Sequence, residues 1–233
     1  MRIRPPHNAS LSSIKRSISA IPKSTVHIGT SFETLTAHTL ARFAFSLTQV
    51  GGARDRGIDL IGSWSPPSQK QCERNAQDLH TQTQNIPIIV QCKAITKTVP
   101  AWVRELEGAI AGAPTHLGHD VVGVLVGKGK ITQGILEVMN MSGKGIVWVQ
   151  LNEKEKAGRE GVGVVGGRVK QMLWNRVVTE RIGDHLRPGF VYRTAGRGVV
   201  EREMALLWKG KAWEPKRVEA RWPENKKGEF GEG

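Results

Sequence analysis

Cysteine, tyrosine and long apolar runs are scarce in this chain, and no acidic residue occurs before Glu33. Each shortage excludes something. Its two cysteines, Cys72 and Cys92, supply no disulfide framework, so a reducing compartment is the simpler reading. No run of about eighteen apolar residues is present, which argues against a membrane-spanning helix. His116, His119 and Asp120 have loose metal spacing but lack a partner set for zinc.

The acid-free start is itself a signal. Residues 1–26 contain Arg2, Arg4, Lys15, Arg16 and Lys23, many serines, and no long apolar core of a secretory signal. That composition predicts a mitochondrial transit peptide, with a disordered basic arm as the alternative. The formal net charge is +13, of which the first 26 residues carry +5. From Glu214 onward five basic and five acidic residues cancel, which leaves +8 on the body. A body that basic favours a polyanionic partner without being histone-like.

At 233 residues the chain can bury one good core and carry appendages. Phe32, Leu35, Thr39, Phe43 and Leu47 recur at helical spacing and predict a helix ending before Gly51. GGARDRG is turn-rich and IDLIGSW is a short strand. A polar insertion over residues 65–85 opens with Pro66-Pro67 and has no apolar period. IPIIVQCKAI is a strand buried on both sides, TVPAWVRELEGAIAGA a helix, VVGVLVG a strand, ITQGILEVMNMSG a helix and GIVWVQL a strand. This order describes an α/β sandwich with a central mixed β-sheet flanked by helices, over residues 27–151. A C-terminal extension over 152–213 follows: a charged, Gly-rich linker to Gly167, a helix around Val169–Arg181, and a hairpin from Phe190 to Trp213. Residues 214–233 have the composition of a disordered tail.

The chemistry concentrates in GGARDRGIDLIG and PIIVQCK. Alternate strand residues share a face, so Gln91 and Lys93 point one way while Val90 and Cys92 point the other. With Asp59 on a neighbouring strand, an acid, an amide oxygen and a cation converge. That is the minimum set for metal-assisted phosphodiester hydrolysis. Asp59 would bind a divalent cation, Gln91 and the Cys92 backbone carbonyl would extend its oxygen shell, and Lys93 would orient the attacking water. Hard oxygen ligands in a sparse site favour Mg²⁺, or Mn²⁺ in its place.

These residues resemble the PD-(D/E)xK nuclease superfamily, in its Mrr-type restriction-endonuclease branch, where the third motif commonly reads QxK. The resemblance runs in order through GTSFE with Glu33, GGARDRGID with Asp59, VQCK with Gln91 and Lys93, WVRELEGAI with Glu107, and VVGVLV. It spans roughly Ile28 to Leu151. The insertion between Asp59 and Gln91, the segment QMLWNRVV and the late ALLWKGKAW further resemble a fungal mitochondrial family named for being required for respiratory growth. The resemblance implies a restriction-endonuclease-like fold and a metal-dependent DNA endonuclease or DNA-processing protein of the mitochondrial matrix. DNA would be the partner, RNA the alternative, with a homodimer compatible and no membrane insertion. A non-cleaving nucleic-acid-binding module and a mitochondrial assembly factor are the competing classes.

Several residues carry two readings. Thr30-Ser31-Phe32-Glu33 fits a capping box, so Glu33 is open between helix cap and further metal ligand. Glu107 fits a solvated or helix-pairing acid better than a ligand. Arg54 and Arg56 are placed to contact phosphates, although Arg56 could equally neutralise Asp55. Gly161–Gly166 matches a dinucleotide fingerprint only as a string, and Gly123–Lys128 is one residue short of a P-loop and better read as a strand end. Trp208 and Trp213 are core or interface residues first and base-stacking candidates second.

Overall fold

Valine and isoleucine dominate the three central strands, and such strands are stable only when both faces are covered. A computed structural model, which describes residues 24–50, 57–67, 84–118, 120–153, 166–195 and 199–215, shows that arrangement. A six-stranded sheet runs β1 (Phe45–Gln49), β2 (Leu60–Trp64), β3 (Ile86–Lys93), β4 (Val122–Gly127), β5 (Ile146–Asn152), β6 (Arg168–Trp174), in that spatial order. β3, β4 and β5 are parallel and the remaining pairs antiparallel, so the sheet is mixed.

Alternation along β3 divides the core into two layers. Ile88 and Val90 join Leu40, Phe43, Trp64, Val124 and Val147 beneath α1 (Thr25–Leu40). Ile89 joins Leu106, Leu125, Ile135 and Trp148 beneath α2 (Ala101–Ala111) and α3 (Gln133–Met141). After α4 (Arg176–Ile182), a second sheet of three strands contains β7 (Leu186–Ala195), β8 (Val199–Trp208) and β9 (Lys211–Trp213). Leu186, Met204 and Leu206 dock it onto the first layer. The expected α/β sandwich with flanking helices and a C-terminal extension is therefore present. No helix among the described residues is long and apolar enough to cross a membrane.

Three expectations are corrected. The first helix does not run on to Leu47. It stops at Leu40, passes through a 3-10 turn at Ala41–Phe43 and reverses at Ala44, whose φ is 65°. Phe45 and Leu47 then alternate along β1, and Phe45 stacks on Trp64 with centroids 5.0 Å apart. The second correction concerns Val169–Arg181, which is strand β6 followed by α4. A register shift at Gln150/Leu151 breaks the two-residue period there, and buried Val169 and Met172 fall three apart, which imitates a helix. The hairpin also begins at Leu186, four residues before Phe190.

Gly123–Lys128 is β4 with the residue after it, in line with the strand-end reading. The insertion leaves and returns at one point, where Gln84 N–H donates to Pro66 O at 2.9 Å. Its middle lies outside the described residues, as do nearly all of the predicted transit peptide, His119, most of the Gly-rich linker with Gly161–Val165, and the tail from residue 216.

Candidate functional site

Asp59 stands one residue before β2, where the ladder between β2 and β3 becomes irregular. Its N–H donates to Val90 O and its carbonyl accepts from Val50 N–H, both at 2.9 Å. Where the ladder would continue through a backbone carbonyl, its side chain takes over: Oδ2 accepts the Cys92 N–H at 2.6 Å. A carboxylate held by a backbone donor is fixed in direction. Amide and carbonyl of one strand residue project to the same edge, so the Cys92 carbonyl also faces the Asp59 side.

Gln91 is only 6% exposed, and its Oε1 has no hydrogen-bond partner. Its Nε2 fills the space where a Cβ on Gly57 would sit, 3.0 Å away, and Gly57 has φ +78°. Glycine is required there both by conformation and by close approach. A buried acceptor without a partner costs about 1–3 kcal/mol, and its lone pairs suit a water or a cation. One other buried orphan occurs among the described residues, Trp148 Nε1, on the same cross-strand row through Leu125.

Lys93 reaches across to α2. Its Nζ lies 2.8 Å from Glu105 Oε2 and 5.8 Å from the Trp102 ring centroid. Glu105 was missed in the sequence, where Glu107 drew notice. The available signal was the i,i+3 spacing of Trp102 and Glu105, which puts both on one side of the helix. Glu107 instead accepts the Ser142 Oγ–H at 2.5 Å and ties α2 to the end of α3. Its helix-pairing reading is the correct one.

The capping-box reading of Glu33 fails. Ser24 caps α1, its Oγ accepting from His27 N–H at 3.2 Å, and Thr30 is inside the helix. Glu33 therefore sits mid-helix, half-buried, and its Oε2 accepts from Gln49 Nε2 of β1. Cys92 reports how close the two acids come. Its Sγ packs on the α1 side, 3.7 Å from Thr36 Oγ1. Burial first, then the charge of Asp59 and, more weakly, that of Glu33 push the thiol well above its ordinary range, against a smaller opposing effect of the Thr36 hydrogen bond. The thiol stays neutral, and both carboxylates act on one position.

These groups fit a divalent cation in an unusual way. No three His, Cys, Asp or Glu side chains converge among the described residues. The shell would consist of the Asp59 carboxylate, the orphaned Gln91 oxygen and the Cys92 carbonyl, with Glu33 nearby. Such an all-oxygen set suits Mg²⁺, which keeps several of its waters. Arg54 and Arg56 lie outside the described residues. Further along the same end of the sheet, Lys128 follows β4, its Nζ 3.2 Å from Glu153 and 5.3 Å from the Phe32 ring centroid.

The model of the family described as "Required for respiratory growth protein 7" matches residues 24–182. An uncharacterized mitochondrial protein of Schizosaccharomyces pombe is 32% identical over 121 residues, covering 52% of this chain and 42% of that protein. The chain thus spans less than half the length of that relative. No solved structure matches.

Proposed function

The chain belongs to the family of Required for respiratory growth protein 7, and from that premise we propose a mitochondrial, metal-dependent nucleic-acid phosphodiesterase of the PD-(D/E)xK, Mrr-type kind. Its DNA-processing activity would serve genome upkeep in the matrix and thereby respiratory growth. The observation that carries this reading is the buried, partnerless Gln91 Oε1, one residue before the Cys92 amide that holds the Asp59 carboxylate. The family's printed description and the mitochondrial name of the yeast relative support the location.

In this mechanism Asp59, Gln91 and the Cys92 carbonyl would hold the cation, and Glu33, braced by Gln49, would be the further acid. A bound Mg²⁺ or Mn²⁺ would supply Lewis-acid polarisation of the scissile phosphate. Lys93, two residues beyond Gln91 on the same strand face, orients the attacking water and faces the charge that develops on the phosphate. Glu105 holds the Lys93 ammonium in place meanwhile.

The test is incubation of the purified chain with plasmid and oligonucleotide substrates, with Mg²⁺, with Mn²⁺ and with EDTA. Cleavage is expected only with metal, and Asp59→Ala and Lys93→Ala should each abolish it while the chain stays folded, Asp59→Ala with a lowered melting temperature because it strands the Cys92 N–H. Full activity in both variants would overturn the site. A second reading, a nuclease fold that binds without cutting, is favoured by one detail: Gln91 brings no charge to the shell. Metal-independent binding with no cleavage by the wild type would establish it.

A further inference from the structure

β7 and β8 pair over ten residues each, from Leu186–Trp208 to Ala195–Val199. Near the root, the inward face of this ribbon is core: Leu186, Met204 and Leu206 are buried. The same face continues outward past the core and is bare. The register sets Phe190 opposite Met204, Tyr192 opposite Arg202 and Thr194 opposite Val200. Phe190 is 39% exposed, Tyr192 70% and Val200 60%. The Arg202 guanidinium lies 4.0 Å from the Phe190 ring centroid, so arginine and aromatics form one solvent-facing platform.

The root is fastened at a telling place. Arg168, at the start of β6, donates to Arg202 O at 3.0 Å, and Arg42 pairs with Glu203 at 2.7 Å. Arg168 pairs in register with Asn152, at the carboxyl end of β5. Lys93 and Lys128 belong to the carboxyl ends of β3 and β4. Lys93, Lys128, Arg168 and Arg202 therefore follow one end of the sheet, with β3 and β6 about 14 Å apart over three strand spacings. Of the acids on this path, Glu105, Glu153 and Glu203 are each held by a cation in part-exposed pairs of small worth, and the exposed Glu201 lines the same hollow as Arg168 and Arg202.

We propose that the β7–β8 arm binds unpaired nucleic acid, stacking bases on Tyr192 and on the Phe190–Arg202 platform. The phosphates meet Arg168 and Lys128 on the way to Asp59. Stacking faces of this kind need a base free of its complement, which selects single strands over duplex. The destination of the strand rests on the nuclease reading; the arm's affinity for it does not.

Fluorescence anisotropy of the full chain tests this in EDTA, with labelled single-stranded DNA, the same sequence as RNA, and a blunt duplex of equal length. Single strands of either sugar should bind more tightly than duplex. Tyr192→Ala and Phe190→Ala should each weaken single-strand binding roughly tenfold or more, leaving duplex binding nearly unchanged. Both side chains are exposed, and unchanged thermal melts establish that the variants are folded. Duplex preference, wild-type affinity in both variants, or no binding at low salt would each overturn the proposal, the last pointing to a protein partner. EDTA separates the two readings. Binding lost in Tyr192→Ala without any metal-dependent cleavage by the wild type would keep the arm and sink the nuclease, and cleavage with arm variants binding normally would do the reverse.

Discussion

Gln91 has the volume of a glutamate and the charge of an alanine, and the next residue's amide holds the Asp59 carboxylate. Gln91→Glu should bind Mg²⁺ at lower concentration than the wild type, because each added carboxylate strengthens a hard-cation site. Without metal, the new acid faces Asp59, and like-charge repulsion raises its pKa on folding. Stability is then full at acidic pH and lost as pH rises through the carboxylate range. Thermal melts with and without Mg²⁺, near neutral pH and near pH 4, check both halves, and no Mg²⁺-dependent stabilisation in either protein counts against a metal site. Cys92 gives a second residue-scale expectation. Its thiol is pushed up by burial first and by Asp59 next, from an ordinary 9.0. Unfolded chains lose that proton above 9.0 and the folded chain keeps it, so stability falls there by up to about 1.4 kcal/mol per pH unit. Urea melts from pH 7 to 10 should show that extra slope in the wild type and not in Cys92→Ala. Gln91 and Lys93 were legible as candidates because polar side chains at alternate positions of a buried strand need a reason, and Asp59 because it stands between a turn-rich segment and a short apolar strand. Glu105 was not, since two glutamates two residues apart on one helix look alike until the helix phase against Lys93 is known.

At the scale of elements, the legible ones are those whose period is set by burial on both faces. β3, β4 and β5 read as unbroken apolar runs, and α2 and α3 as amphipathic helices. The two edge strands of the main sheet were lost, for different reasons. β1 is hidden because Phe43 and Leu47 happen to extend the helical spacing of α1, while the reversal depends on Ala44 adopting a left-handed conformation that its residue type does not announce. β6 is hidden by its register shift. Asn175 was the overlooked punctuation between β6 and α4: buried, it caps Val178 N–H, accepts from Ile146 N–H at 3.2 Å, and donates to Met139 O and Lys144 O at 3.0 and 2.7 Å. One side chain thus ties α3, β5 and α4 together. Asn175→Ala removes a cap and strands buried backbone groups, so a loss of about 2–4 kcal/mol is expected, read as a lower urea midpoint. A loss below about 0.5 kcal/mol, the level of an ordinary surface change, would mean that water replaces the amide and the junction is not held by it.

On the scale of the whole molecule, charge is distributed in a way that composition alone conceals. The +5 of residues 1–26 and the balanced segment from Glu214 leave +8 on residues 27–213, and the described part of that stretch aligns Lys93, Lys128, Arg168 and Arg202 along one end of the sheet. A partner that meets a line of cations releases counterions in proportion to the phosphates it sets against them. For a single strand the slope of log affinity against log salt is about −0.7 per phosphate, so the contacts at Arg168 and Lys128 give at least about −1.4. Affinity should fall by roughly sevenfold or more between about 50 and 200 mM KCl, and Arg168→Ala should shallow the slope by about 0.7. The full chain and a version beginning at Ser24 separate the body from residues 1–23. If the body supplies the contacts, both show the same slope. If the five cations of residues 1–23 supply them, the shortened chain loses most of it and the sheet-end track is not the binding surface. A slope near zero in both would remove nucleic acid as the partner, since an interface built from neutralised phosphates cannot be indifferent to salt.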